Sequence, residues 1–168
     1  GNGSNYAVFS VGTVAGQTLN LSLTDGTAVR TGSGDTLDFG SSLQYWNGSA
    51  WTAYSAGFTV PGTANANTTL LVRVQLNADT TFEGSENFTL TAAYANGGTK
   101  SATGTATVKD DGTGTKFTGG NPSSNDPSTI TESTNLDDDR QLTVNNITVN
   151  EGNGSNYAVF SVGTVAGQ

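Results

Sequence analysis

The sequence predicts an all-β protein built as a β-sandwich, two antiparallel sheets packed face to face. Apolar residues recur with period two, not with a helical period, through the first 112 residues. The alternating runs are short and end in Gly- and Asn-containing turns, and no stretch carries the apolar stripe of an amphipathic helix. A strand that is apolar on one side must bury that side against a second layer, and the sandwich is the all-β solution.

The first predicted strand covers Tyr6 to Thr13. In TLNLSLTDG, Leu19, Leu21 and Leu23 point one way while Asn20, Ser22 and Thr24 point the other. A strand at Leu43 to Trp46 turns at Asn47-Gly48, a pair suited to a tight hairpin. TLLVRVQL places Leu70, Val72, Val74 and Leu76 on one face, opposite Arg73 and Gln75. ENFTLTAAY groups Phe88, Leu90, Ala92 and Tyr94, and GTATVKD turns Ala106 and Val108 inward with Thr105, Thr107 and Lys109 outward. From 113 to 141 the alternation dissolves into a polar stretch holding two of the three prolines, which predicts a linker or an extended surface segment.

LTVNNITVNEG follows, beginning at Leu142. Leu142 and Val144 share one parity, Ile147 and Val149 the other, and Asn145-Asn146 mark the break, so this strand is expected to change sheets at a kink or bulge. Residues 152–168 then repeat residues 1–17 without a change, an offset of 151 (152 − 1). A period of that length suits an array of independently folding domains, and the chain reads as one period of a longer array. The expected organisation is a sandwich at 1–112 lacking its own first strand, the segment 113–141, and the first strands of a next repeat at 142–168. A sandwich short of one strand exposes an unpaired edge and an apolar face. The preceding repeat, or a neighbouring copy donating its strand, is expected to fill that gap.

The chain has no Cys, Met or His, which excludes disulfide staples, thiolate chemistry, imidazole metal sites and His-based general-base catalysis. Its net charge of −8 would repel nucleic acid and anionic membrane surfaces and favours cations as partners. No apolar run is long enough to span a membrane.

The 14 acidic residues are few enough for their placement to carry information. Asp79, Glu83 and Glu86 lie in the loop ADTTFEGSENF, Asp110 and Asp111 follow the last strand, Asp38 follows a turn and Glu151 ends LTVNNITVNEG. Loops at one end of a sandwich gather in space, so these carboxylates are expected at one pole. There they would repel one another unless a cation sat among them, and hard oxygen ligands in that number suit Ca²⁺.

DTTFEGSENFTL, an acidic turn followed by Glu-x-x-Glu-x-Phe at a strand start, resembles the Calx-β signature, and VNEG, LDF and VKDDG fit its remaining parts. The resemblance covers about 120 residues, including Leu142 to Glu151. It implies a seven-stranded immunoglobulin-like sandwich binding Ca²⁺ at one end, with Asp38, Asp79, Glu83, Glu86, Asp110, Asp111 and Glu151 as ligands. Gly112 stands where calcium-binding members often carry a third Asp, so fewer ions or weaker binding is expected. Acidic, cysteine-free repeats of this kind resemble the stalk of a large bacterial surface adhesin, or an extracellular filament. That likeness implies an extracellular structural module at the bacterial cell surface, whose Ca²⁺ stiffens domains and junctions. LDDDR, Leu136 to Arg140, is then expected to hold a further ion at a junction.

Two other readings come from different residues. Tyr45, Trp46, Trp51 and Tyr54 would suit a platform for surface glycans, although hairpin aromatics also pair across strands or cover a lean core. Enzymatic function is not expected: Glu83 and Glu86 lie too close in one loop to flank a glycosidic bond, and no nucleophile elbow, phosphate loop or zinc spacing is present.

Overall fold

A computed structural model describes residues 5–32, 37–95 and 100–164. In chain order the strands are β1 (Asn5–Val14), β2 (Leu19–Asp25), β3 (Phe39–Trp46), β4 (Trp51–Ala53), β5 (Asn67–Leu76), β6 (Ser85–Tyr94) and β7 (Ser101–Lys109). Shorter pieces follow: β8 (Lys116–Phe117), a 3-10 turn (Pro127–Ile130), β9 (Thr131–Glu132), β10 (Thr143–Val144) and β11 (Val162–Gly163). One antiparallel sheet runs β4-β3-β5-β1-β8-β9 and a second runs β2-β6-β7. Among the described residues no helix is long and apolar enough to cross a membrane.

The two sheets pack in a β-sandwich-like arrangement around one core. Phe39, Leu43, Leu70, Val72 and Val74 enter it from the first sheet, and Leu19, Leu21, Phe88, Leu90 and Ala92 from the second. Apart from Phe39, these are the residues whose parity or strand the alternation singled out. Phe39 stacks on Phe88 with ring centroids 3.8 Å apart, and Phe9 meets Phe88 edge-on at 6.0 Å. Phe39 reaches the core because β3 bulges: Phe39 pairs with Leu76 and Leu43 with Val74, so four steps on β3 span two on β5.

Arg73 points away from the core, as its parity requires, yet is only 6% exposed. The covering comes from the segment at 113–141, which folds against the outer face of the first sheet. Phe117 pairs with Tyr6 of β1, Arg73 Nη1 donates to Gly119 O at 3.2 Å, and Trp51 Nε1 donates to Gly120 O at 2.9 Å. The Arg73 guanidinium lies 4.0 Å from the Tyr6 ring centroid and 4.1 Å from that of Trp51, while its Nε donates to Gln44 Oε1 at 2.8 Å. Burial lowers the Arg73 pKa from its ordinary value, and the two rings and two hydrogen-bonding oxygens offset the cost of removing the charge from water.

The strand expected over Leu142 to Glu151 forms only in part. Thr143–Val144 pairs with Val162–Gly163, and Leu142, Val144 and Val149 are 70%, 59% and 60% exposed. An isolated pair of strands has no layer on which to bury an apolar face.

Candidate metal centre

Four pieces of chain meet at one end of the sandwich. The residue before β3 is Asp38, itself buried, whose Oδ2 accepts from Val29 N at 2.7 Å and whose carbonyl accepts from Asn77 N at 2.9 Å. The β5–β6 loop is held by Thr81 N donating to Asp79 Oδ1 at 2.7 Å, and by Glu83 N and Gly84 N donating to Asp110 Oδ2 at 2.6 and 3.2 Å. Asp110 leaves the end of β7. Against it lies the returning segment at 137–139, where Gly112 N donates to Asp137 O at 2.7 Å and Asp139 N to Asp110 O at 2.8 Å.

These pieces enclose a cavity of about 70 Å³ lined by Asp38, Asp79, Glu83, Glu86, Asp110, Asp137 and Asp139, together with Asn5, Asn77 and Thr81. Oxygens of Asp38, Glu83 and Glu86 all lie within 4.8 Å of one another. Lys109 also lines the cavity, but its ammonium is bonded to Thr113 Oγ1 at 3.0 Å and lies 3.8 Å from Asp111.

The electrostatics follow from this crowding. Burial, a hydrogen bond with the Asp38 carboxyl and the charges of Asp38, Glu83 and Asp110 push the Glu86 pKa up to about 7. Burial, then the charges of Asp137, Asp79 and Asp110, raises that of Asp139. Such groups resist ionising together and share protons instead.

Two further atoms test whether the cavity suits a cation. Asp110 Oδ1 and Asn5 Oδ1 are buried without a hydrogen-bond partner among the described residues, and both residues line the cavity. A buried oxygen left unbonded costs about 1–3 kcal/mol, and more when charged. The donor set is all oxygen, carboxylate and amide, and Ca²⁺ binds such oxygens at about 2.3–2.6 Å, which allows ligands up to about 5 Å apart across one ion. The residues fit.

Of the seven residues read from the sequence, the fold gathers five: Asp38, Asp79, Glu83, Glu86 and Asp110. Two are corrected. The Asp111 side chain turns to Thr113, accepting from its N at 3.0 Å and from its Oγ1 at 2.5 Å, and does not line the cavity. Glu151 is exposed in the C-terminal segment and does not line it either.

Sequence reasoning placed LDDDR at a separate junction, whereas Asp137 and Asp139 line this same cavity. The signal was present in the spacing. In an extended segment alternate residues share a side, and Asp138 is held by Arg140 through bonds of 2.9 and 2.7 Å. Gly112, where a third Asp was missed, has a φ of +72°, and a Cβ there would lie 2.9 Å from Asp138 Oδ2. Glycine thus permits the close approach that returns Asp137 and Asp139 to the pole.

The aromatics of the β3–β4 region have partners inside the chain. Tyr45 packs 4.1 Å from Phe58, Tyr54 accepts from Leu21 N at 2.9 Å, and Trp46 is buried with its ring 5.8 Å from Trp51. Comparison of the chain with known proteins matched no family model, no curated protein and no solved structure.

Proposed function

We propose that this chain is a non-catalytic, Ca²⁺-stabilised structural module, one unit of a tandem array that forms the stalk of a bacterial surface adhesin or an extracellular filament. The observation that carries the reading is the acidic pole. Its carboxylates come from chain segments as far apart as Asp38 and Asp139, and it keeps Asp110 Oδ1 and Asn5 Oδ1 buried without hydrogen-bond partners among the described residues. A bound divalent ion would supply positive charge to that pole. Asp38, Glu83, Glu86 and Asp110 would hold it, and the β5–β6 loop, the exit of β7 and the returning segment would be clamped together.

The finer fold belongs to the same proposal: a seven-stranded, immunoglobulin-like, Calx-β-like sandwich completed by a strand from outside residues 1–112. The unchanged recurrence of residues 1–17 at 152–168 supports the tandem arrangement. An extracellular setting accords with a cation dependence that millimolar external calcium would satisfy. The glycan-binding reading has less support, because Tyr45, Trp46, Trp51 and Tyr54 already have contacts within the fold.

Calorimetric titration of the chelator-treated chain with Ca²⁺, paired with thermal unfolding in calcium and in chelator, tests the reading. Saturable binding with a rise in Tm is expected; no heat of binding and superimposable melting curves would defeat it.

A further inference from the structure

The sandwich is open along one side. β7 is the terminal strand of its sheet and is exposed over most of its length. On the other sheet, the edge of β1 facing away from β5 pairs with β8 only at Tyr6 and Phe117. Between these two edges lie a cavity of about 250 Å³, bounded by Ala7 and Phe9 on one strand and Ala106 and Val108 on the other, and one of about 140 Å³ beside Val11 and Ala102. Ala7, Phe9, Val11, Ala106 and Val108 face the core from this side but remain only half-buried. A Cβ placed on Gly12 would meet nothing within 4 Å. Among the described residues the cleft therefore offers an apolar floor and two strand edges that lack a partner strand over most of their length, one from each sheet.

The same chain carries an extended apolar segment with no core of its own. Leu142, Val144 and Val149 stand 59–70% exposed. The segment immediately precedes a second copy of the β1 sequence, since residues 156–164 repeat residues 5–13. Its change of parity between Val144 and Ile147 fits a strand that leans first on one sheet and then on the other. Ten extended residues span roughly 33 Å, the length of the ten-residue β1 edge.

We infer that the cleft between β1 and β7 is the docking site for residues 142–151 of a second copy of this chain, which add as a strand and join copies head to tail. Main-chain hydrogen bonds to the free edges would supply affinity, and the apolar side chains would cover Phe9, Val11 and Ala106. Donor and acceptor surfaces differ, so the contact is heterologous and propagates head to tail, into a ring or an open filament according to the rotation between copies. The inference rests on the sandwich and not on the acidic pole, so a failure to bind calcium would leave it standing.

The test uses the full chain, the double variant V144E/V149E, and a fluorescently labelled peptide of residues 142–151. Val144 and Val149 are exposed in their own chain, so the variant's sandwich should still fold, with the far-ultraviolet spectrum of the parent. The parent is expected to sediment as oligomers that grow with concentration, and the variant as a monomer that still binds the peptide through its open cleft. A peptide carrying the same two Glu substitutions should bind about tenfold or more weakly. Because the peptide ends at Glu151, it carries none of the duplicated stretch, and its binding reports the cleft and not exchange of β1. A parent chain that stays monomeric, oligomers that survive the double substitution, or a variant deaf to the peptide would each overturn the inference.

Discussion

The backbone N–H of Glu83 donates to Asp110 Oδ2 at 2.6 Å and so ties the β5–β6 loop to the exit of β7. Gly84 N adds a second bond to the same oxygen, while Oδ1 of that carboxylate is buried without a hydrogen-bond partner among the described residues. One oxygen thus organises the loop and the other is available to a ligand. Asp110→Asn should remove most of the calcium-dependent rise in Tm while changing the melting point in chelator far less. For the parent, calcium at about a hundred times Kd corresponds to roughly 2.7 kcal/mol of added stability. Differential scanning calorimetry of both chains, with calcium and with chelator, measures the difference.

Glu86 gives a pH dependence with a definite sign. Its folded pKa is raised to about 7 from an ordinary 4.5, so between those values the folded chain holds more protons than the unfolded one. In chelator, stability should therefore fall as pH rises from about 4.5 to 7, and Glu86→Gln should flatten that slope. Calcium binding requires the deprotonated carboxylate, so affinity should rise with pH through the same window. Titrations in buffers of different ionisation enthalpy should then reveal protons released on binding.

Gly112 combines a φ of +72° with a position where a Cβ would stand 2.9 Å from Asp138 Oδ2. Gly112→Ala is expected to cost about 1 kcal/mol or more in chelator. It should also weaken calcium binding, by moving the segment that carries Asp137 and Asp139. Urea unfolding and calcium titration of the variant measure the two effects separately.

The stack of Tyr6, Arg73 and Trp51 fastens the 113–121 segment to the outer face of the first sheet. Arg73→Lys loses the planar contact with both rings and the bond to Gln44, for an expected loss of about 1–3 kcal/mol. Trp51→Ala should leave the sandwich folded but free the segment, so limited proteolysis should cut within 113–141 sooner than in the parent. Equal cleavage rates would show that the stack does not hold the segment.

The residues explain which parts of this architecture could be read beforehand. Alternation in TLNLSLTDG, TLLVRVQL and ENFTLTAAY located strands and their buried faces, because a strand's side chains alternate whatever the fold around it. Phe39 escaped notice, since a bulge breaks the period that pattern reading depends on. Five carboxylates of the acidic pole were legible because each stands at the end of a strand, where loops converge. Asp111 turns aside through a local event, its bonds to Thr113, and Glu151 stands away from the pole because Thr143–Val144 pairs with Val162–Gly163 and not with the sandwich.

By itself, then, the sequence determined the all-β character, the inward faces of the main strands and the recurrence of residues 1–17, all of which are properties of local period and identity. Only the tertiary structure decided that the polar segment at 113–141 covers Arg73 and returns Asp137 and Asp139 to the pole. Those contacts join residues dozens of positions apart through single hydrogen bonds and ring faces, and no pattern along the chain encodes which distant partner a buried charge or a lone oxygen will find.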